Sequence, residues 1–329
     1  METEETSVDG RGCVRQATRA ALHRGPLIVN LGLTAWGRSG VRNFLGYTAV
    51  GAHETFGSPT TVIVHHAIEI FDLDDTGYEV TPLVRAGAHA ALGRVRKCNL
   101  VVFSPRLLEI LRNFYGARRV WLVPHPAERT RCGVTGRPTE PPKVVHVGYW
   151  APYKGIDRFV QVADRMRDRA EFVLMGRPHT ALSADEGFRQ KVDEWTTQAQ
   201  RAGVRLTGFL TEEQLDAECT GTTVGLLPYT SMSGASGSFN LFASRGIPVV
   251  ATDLPEFRYL ETVGAGIRIA PATVEGLSSA VATLLEDREQ WLELSRRQGE
   301  FVEKYSWDHF VEELLMRSGR AASPRTDAR

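Results

Sequence analysis

The sequence lacks the features that mark several classes of protein. No apolar run in its 329 residues approaches the ~20 residues needed to cross a bilayer. Residues 1–12 also lack the basic and apolar segments of a signal peptide. Lysine and arginine together number 39 and are balanced by 39 aspartates and glutamates. With a formal charge of zero the chain has no excess of positive charge to bind nucleic acid or an anionic membrane. We therefore expect a soluble protein with neither partner.

Cysteine is scarce, and one common nucleotide-binding pattern is absent. The four cysteines are scattered without paired spacing, which predicts neither a disulfide framework nor a zinc site. Such use of cysteine fits a reducing cytoplasm, which is the expected location. The glycine pattern GxGxxG occurs in neither half of the chain, and its absence argues against a nicotinamide-dependent dehydrogenase.

Short β-branched runs that alternate with helical patterns are abundant, and they predict an open α/β fold. A composition of 42% hydrophobic and 24% charged residues is globular, and the length allows two cores. The nine runs are 26–32, 60–66, 99–104, 119–125, 143–148, 171–176, 204–208, 223–229 and 247–253. They predict two parallel sheets, each with helices on its faces.

The distribution of these patterns predicts two Rossmann-like domains with loose ends. The predicted division is a loose N-terminal segment at 1–25, a first domain at 26–130, a linker at 131–143, a second domain at 144–300, a C-terminal helix at 301–318 and a loose tail at 319–329. The linker is rich in proline, glycine and threonine. Two such sheets usually bind a ligand between the carboxyl ends of their strands, so the site is expected between the domains.

The segment 222–253 has the composition of a phosphate-binding loop. An apolar strand is followed by a serine- and glycine-rich loop at 231–238, then by a short predicted helix at 239–245 that Gly246 ends. The first N–H groups of a helix have no internal acceptor and carry the positive end of its dipole, so they favour a diphosphate. Ser236 and Ser238 add hydroxyl donors. A flexible turn is the alternative for the loop taken alone.

Five segments in order resemble the donor-binding domain of the retaining glycosyltransferases of family 4, also called glycosyl transferases group 1. These segments are 144–157, 171–176, 205–215, 226–253 and 303–310. Segment 101–126 is similar to the end of the family's acceptor domain. The resemblance implies the GT-B fold, in which an acceptor-side domain and a nucleotide-sugar-binding domain face each other across a cleft. It also implies that the C-terminal helix crosses back to the first domain.

The resemblance further implies which residues act. Lys154 would reach the leaving diphosphate, and His65, at the carboxyl edge of the first sheet, would contact the donor sugar. A solvated turn lysine and a structural histidine are the alternatives. The implied donor-binding residues are Gly148, Tyr149, Gly176, Arg177, Phe209, Leu210, Ser233, Ser236, Gly237, Ser238 and Asn240.

Acidic residues contribute little to this expected site. Glu256 resembles an acidic position of the family, although a surface turn is the commoner setting for such a carboxylate. The acids Glu69, Asp72, Asp74 and Asp75 match no metal-binding loop and predict a solvated turn. We therefore expect no metal and no cofactor, only a nucleoside diphosphate sugar as donor substrate.

Three departures from the family pattern open an alternative function. The family's arginine before the lysine is replaced by the turn 149–151, its two glutamates correspond to Ser233 and Leu241, and the first domain is short. The leading hypothesis is a metal-independent retaining glycosyltransferase that uses a hydroxyl acceptor. The alternative is a catalytically impaired subunit that supports a partner enzyme, and a copy of this chain or a partner chain could complete the first domain. A sugar-phosphate epimerase is a weaker third hypothesis.

Overall fold

A computed structural model describes residues 25–31, 40–56, 58–67, 69, 81–129 and 140–320. The first part of the chain forms a parallel sheet in the order β1-β2-β3-β4. Its strands are β1 (Leu27–Leu31), β2 (Thr60–Val64), β3 (Asn99–Val102) and β4 (Val120–Leu122). All three strand pairs are parallel, so their carboxyl ends lie at one edge.

Helices cover this first sheet, and the third of them begins at a capped turn close to the carboxyl edge of the sheet. They are α1 (Gly40–Thr55), α2 (Pro82–Val95) and α3 (Pro105–Glu109), which continues into a π-helical turn (Ile110–Phe114). Ser104 begins α3, because its hydroxyl accepts a hydrogen bond from Leu107 N at 3.3 Å and Pro105 follows it. The core between the sheet and its helices is formed by aliphatic side chains such as Val62, Leu92 and Leu107.

The second part of the chain forms a six-stranded parallel sheet in the order β10-β9-β8-β5-β6-β7. Its strands are β5 (Lys143–Val147), β6 (Glu171–Met175), β7 (Arg205–Gly208), β8 (Thr222–Leu227), β9 (Val249–Thr252) and β10 (Ile267–Ala270). Each of the nine sequence runs contains one strand, but the sequence analysis missed β10. This edge strand has only four residues and two of them are half-buried, so it lacks the continuous apolar run of a central strand.

Helices cover both faces of the second sheet, and each face has its own buried core. They are α4 (Ile156–Arg165), α5 (Glu186–Arg201), α6 (Glu212–Cys219), α7 (Gly237–Ser244), α8 (Pro255–Thr262), α9 (Val274–Glu286) and α10 (Arg288–Lys304). A last helix, α11 (Trp307–Arg320), follows them. A capping box begins α6, where the Thr211 side chain accepts from Gln214 N and the Gln214 side chain accepts from Thr211 N. Together the two sheets confirm the predicted α/β class.

The last helix, α11, packs on the first sheet although it follows the second sheet in sequence. Phe310 and Leu314 are buried against Ile63, Val101, Phe103 and Val123 of the first sheet. The Phe310 ring stacks on Trp121 at 5.9 Å, and Ser318 Oγ lies 2.8 Å from Thr61 Oγ1. This helix therefore ties the two parts of the chain together.

Several sequence predictions fall on residues outside the described ranges. They concern most of the first 25 residues, 131–139 of the predicted linker, the tail after 320, and the acids Asp72, Asp74 and Asp75. Within the described ranges, no helix is both long and apolar enough to span a bilayer.

Candidate active site

The carboxyl edge of the second sheet carries the predicted phosphate-binding loop. After β8, the chain passes through the serine and glycine loop and enters α7, two residues earlier than the sequence predicts. Ser236 is the N-cap, and its hydroxyl accepts from Phe239 N at 3.1 Å. Gly237 and Ser238 form the first turn, whose N–H groups have no acceptor inside the helix. The positive end of α7 therefore lies at the edge where Lys154 is expected.

Lys154 is held at this edge by a close backbone approach. It ends a short 3-10 turn (Pro152–Lys154), and the next residue, Gly155, has φ 67°. A Cβ on Gly155 would lie 2.0 Å from the carbonyl oxygen of Pro228, so only glycine fits between this turn and the end of β8. Thr230 N also donates to Tyr153 O at 2.8 Å. The loop after β5 and the loop after β8 are thus fastened side by side.

The Lys154 ammonium faces two tyrosines. Its Nζ donates to the Tyr229 hydroxyl at 2.7 Å and lies 4.1 Å from the centroid of that ring. It also lies 5.1 Å from the Tyr153 ring centroid. Burial works to lower the pKa of Lys154, but Tyr229 and Tyr153 oppose it, and the net pKa is above its usual value. Lys154 is therefore a cation at neutral pH.

The Tyr229 hydroxyl connects Lys154 to the start of α7, and the sequence analysis did not identify it. It donates to Ser238 Oγ at 3.0 Å and lies 3.3 Å from Ser236 Oγ. Ser238 Oγ in turn donates to Val147 O at 2.6 Å. The Ser238 proton is thus used within the protein, which differs from the expectation that this hydroxyl donates to a ligand. A tyrosine two residues after a strand that ends in the cleft is the only sequence signal for this role.

Arg177 lies in a different part of the site from Lys154. Its guanidinium lies 4.8 Å from the Phe209 ring centroid and 5.8 Å from that of Tyr149. Both rings are substantially exposed, and the adjacent Leu210 is half-buried against the core. These contacts bring two aromatic rings and a guanidinium together in one surface beside the ends of β5, β6 and β7. Such a surface suits a planar base better than a diphosphate.

Two predicted glycines allow this surface to form. Gly176 has φ 115° and Gly148 has φ 134°. A Cβ on Gly176 would lie 1.9 Å from Gly148 O, and one on Gly148 would lie 3.1 Å from Ser238 Oγ. The backbones after β5 and β6 therefore approach each other and the start of α7 in a way that side chains would prevent.

The carboxyl edge of the first sheet presents three histidines. His65 follows β2, and its Nε2 donates to Asn30 Oδ1 at 2.6 Å. Its ring lies 6.2 Å from His66, 6.4 Å from His125 and 5.4 Å from Phe103. Burial, with smaller contributions from the other two histidines, lowers the pKa of His65 to about 4. Burial also lowers the pKa values of His66 and His125, so these three imidazoles are uncharged at neutral pH.

Contacts across the cleft bring the two edges together. Asn240 Nδ2 of α7 lies 2.9 Å from His125 Nδ1 and donates to Pro126 O at 3.2 Å. A Cβ on Gly234 would lie 3.2 Å from His65 O. The predicted residues His65, Ser236, Asn240 and Lys154 therefore lie around one cleft. His125 was missed, because nothing in the sequence distinguishes it from an ordinary histidine after a strand.

Ser233 also lies on the cleft side, where its backbone hydrogen-bonds His66. Arg106 Nη1 donates to the neighbouring carbonyl of Met232 at 3.4 Å. The serine- and glycine-rich loop thus contacts the first part of the chain directly.

Glu256 is buried rather than exposed in a surface turn, and only 3% of it is accessible. It lies in the first turn of α8, and its Oε1 accepts from Ser104 Oγ at 3.2 Å. Burial raises the pKa of this carboxyl. Ser104 is also the N-cap of α3, so this contact joins the starts of two helices that pack on different sheets. The sequence expectation for Glu256 was wrong because the partner that buries it is 152 residues away.

The remaining acidic residue that can be placed, Glu69, is not solvated either. Its Oε1 accepts from the Tyr115 hydroxyl at 2.6 Å and lies 2.9 Å from His89 Nδ1. No group of three or more potential metal ligands occurs among the residues that the structure describes.

Comparisons with known proteins agree with this geometry. Residues 141–287 match the family model of the glycosyl transferases group 1. The whole fold is similar to GT-B structures, among them HepE from Anabaena in complex with UDP, at 15% identity over 94% of this chain and 82% of that chain (TM-score 0.67). Sucrose-phosphate synthase from Thermosynechococcus elongatus matches at 17% identity over 95% of this chain and 78% of its own (TM-score 0.67).

The UDP-forming α,α-trehalose-phosphate synthase from Burkholderia vietnamiensis is similar at 12% identity, over 94% of this chain and 76% of its own, with a TM-score of 0.65. A comparison with curated protein sequences gives no match. The chain thus has the GT-B fold, and residues 141–287 in its second half match the family model of the glycosyl transferases group 1.

Proposed function

We propose that this protein is a retaining glycosyltransferase that moves a sugar from a nucleoside diphosphate sugar to a hydroxyl acceptor without a metal. The observation that carries the proposal is the junction of Lys154, Tyr229 and the N-terminus of α7 at the edge of the group 1 domain. A cation and a helix N-terminus converge there, and that combination suits a diphosphate. HepE, which has a similar structure, has been solved in complex with UDP and with UDP-glucose, and this supports a donor of this class.

The proposed chemistry is mainly electrostatic. As the glycosidic bond loosens, negative charge grows on the leaving diphosphate, and Lys154 together with the first N–H groups of α7 stabilises it. Because Nζ has three protons and Tyr229 takes one of them, the ammonium can still donate to a phosphate oxygen. No enzymic nucleophile is required when the acceptor attacks from the face that the diphosphate leaves.

The rest of the cleft would orient the donor. The base would lie on the Tyr149, Arg177 and Phe209 surface, with main-chain groups at Phe209 and Leu210 beside it. The sugar would face His65 and His125, which are uncharged and therefore able to share hydrogen bonds with hydroxyls. The acceptor would approach from the first sheet.

The direct test is transfer or slow hydrolysis of a panel of UDP-, GDP-, ADP- and CDP-sugars by the purified chain. NMR of the product anomer tests retention, and the assay repeated with EDTA tests independence from metal. Lys154→Ala should reduce turnover by about 10²–10³-fold, the range seen when one stabilising donor is removed from an anionic transition state. Lys304→Ala, an exposed lysine on α10, is the matched control.

Turnover that survives in a folded Lys154→Ala protein would overturn the proposal. The alternative is a catalytically impaired subunit, favoured by Ser233 and Leu241 at the positions where many family members carry glutamates. It predicts that the wild-type chain binds a nucleotide sugar, turns over none, and co-purifies with an active partner.

A further inference from the structure

We propose that Tyr229 is a positioning residue whose hydroxyl holds the Lys154 ammonium against the N-terminus of α7, so that the lysine and the helix act on the same phosphate. This inference rests on the proposed function of the site and adds a residue that the sequence motifs did not identify. It assigns a direction to every hydrogen bond in the chain of contacts from Lys154 to Val147.

The directions follow from counting protons. The ammonium can only donate, so the Tyr229 oxygen accepts from Lys154. The Val147 carbonyl can only accept, so Ser238 donates to it. The Ser238 oxygen is then the acceptor for the Tyr229 proton. Tyr229 therefore has no proton left for a ligand, and its contribution is to place Lys154 rather than to contact the leaving group.

Tyr229 is well anchored for this role. Its side chain is 1% exposed, and its ring packs against Phe257 at 5.5 Å and His146 at 6.1 Å between centroids. Its carbonyl accepts from Thr252 Oγ1 at 2.7 Å. Both ends of the residue are thus fixed by groups of the second sheet and its helices.

Lys154, in contrast, has the properties of a side chain that needs to be placed. A lysine has four methylenes and loses up to ~2 kcal/mol of rotamer entropy when it is fixed. The Tyr229 hydroxyl restricts that freedom before a ligand arrives, and the serines that it touches belong to the first turn of α7. The distance between ammonium and helix is therefore set by one rigid side chain.

The test is a double-mutant cycle on binding, measured by calorimetry with UDP, GDP, ADP and CDP as probes. Tyr229→Phe keeps the ring beneath the ammonium and removes only the hydroxyl. We expect it to weaken binding of the preferred diphosphate about tenfold in the wild-type background, the effect of losing one hydrogen bond to a charged group. In the Lys154→Ala background, the same change should alter binding less than about twofold, because the residue acts through Lys154.

The pH dependence of binding separates positioning from a merely structural role. Tyr229 helps to raise the pKa of Lys154, so its hydroxyl keeps the ammonium charged to higher pH. In Tyr229→Phe, the loss of binding at alkaline pH should therefore move to lower pH. Tyr259→Phe removes the hydroxyl of a half-buried tyrosine on α8 and should leave both affinity and pH profile unchanged.

The outcomes distinguish this inference from the proposed function. Equal losses on Tyr229→Phe in both backgrounds, or an unshifted alkaline limb, would overturn the positioning role while leaving the donor site intact. If no diphosphate binds, or if Lys154→Ala binds as well as wild type, the proposed function itself fails and the inference fails with it. Should Tyr229→Phe show no cooperative melting transition, Ser238→Ala replaces it in the cycle, because it removes the acceptor that orients the Tyr229 hydroxyl.

Discussion

The two edges that face each other across the cleft are built from opposite chemistry. The edge of the second sheet has a charged lysine, a helix N-terminus and a directed chain of hydrogen bonds between them. The edge of the first sheet has three half-buried imidazoles whose pKa values are lowered, so these imidazoles carry no charge at neutral pH. The Lys154 cation therefore lies where a leaving diphosphate would need it, while the three imidazoles opposite are suited to orienting neutral groups.

The largest effect is expected from a change in the backbone that holds Lys154. Gly155→Ala introduces a Cβ 2.0 Å from Pro228 O at a residue with φ 67°. We expect a loss of about 2–6 kcal/mol in the free energy of unfolding, from the left-handed conformation together with steric overlap. Urea unfolding followed by circular dichroism measures it.

The matched control is Gly203→Ala, at φ 72° with no atom within 4 Å of the added Cβ. It should cost only about 1 kcal/mol, the conformational part alone. Equal losses for the two variants would show that the close approach at Gly155 is not what fixes the Lys154 turn.

The next largest effect is expected from a change in α11, the helix that joins the two parts of the chain. Phe310 of α11 is 5% exposed and stacks on Trp121 of β4. Phe310→Ala should destabilise the protein by about 3–5 kcal/mol, because it leaves a cavity against the first sheet. Leu315→Ala, on the exposed face of the same helix, should change stability by no more than about 0.5 kcal/mol. Thermal melting that gave the two variants the same midpoint would refute the crossing contact.

A change at the histidines of the first sheet should affect turnover more than it affects the binding of a diphosphate. His125→Ala removes an imidazole that faces Asn240 but carries no charge for a diphosphate. Turnover should fall about tenfold through poorer orientation, while the affinity for a nucleoside diphosphate changes less than about twofold. His309→Ala, an exposed histidine on α11, is the control. A loss of diphosphate affinity as large as the loss of turnover would mean that the first sheet also binds the phosphates.

The smallest expected effect is a dependence of stability on pH. His65 has a pKa near 6.5 when unfolded and about 4 when folded, so the folded state binds fewer protons between these values. The stability that its neutral form contributes is complete above about pH 6.5 and is lost as the pH falls towards 4. His146, whose pKa burial lowers to about 3, acts in the same direction. The melting midpoint of His65→Gln should therefore fall less steeply between pH 6.5 and 4 than that of wild type, and identical slopes would contradict the burial of His65.

The difference between the two edges also explains what the sequence could predict. The strands other than β10 and the serine- and glycine-rich loop could be predicted, since apolar runs and small residues are sufficient to indicate them. Lys154 was placed correctly at the carboxyl edge because it follows a clear strand and precedes a glycine whose left-handed conformation the structure requires. Its role as the phosphate ligand remains a prediction.

The features that the sequence did not predict depend on contacts between distant residues. Tyr229 resembles any buried aromatic residue until its hydroxyl is found beside Lys154, which lies 75 residues earlier. Glu256 resembles a surface carboxylate until Ser104 is placed against it. The edge strand β10 is short and half-buried, so its apolar pattern is weak. In each case tertiary packing decides the environment of the residues, and the local sequence does not indicate it.

The proposed function requires that the edge containing Lys154 binds a diphosphate. Thermal melting of the purified chain with UDP, GDP, ADP and CDP, and with the corresponding monophosphates, tests it most directly, because a ligand that binds only the folded state raises the midpoint. At least one diphosphate should raise the midpoint more than its monophosphate does, and this increment should disappear in Lys154→Ala. Equal shifts for diphosphate and monophosphate, no shift with any nucleotide, or an increment that Lys154→Ala retains would contradict it.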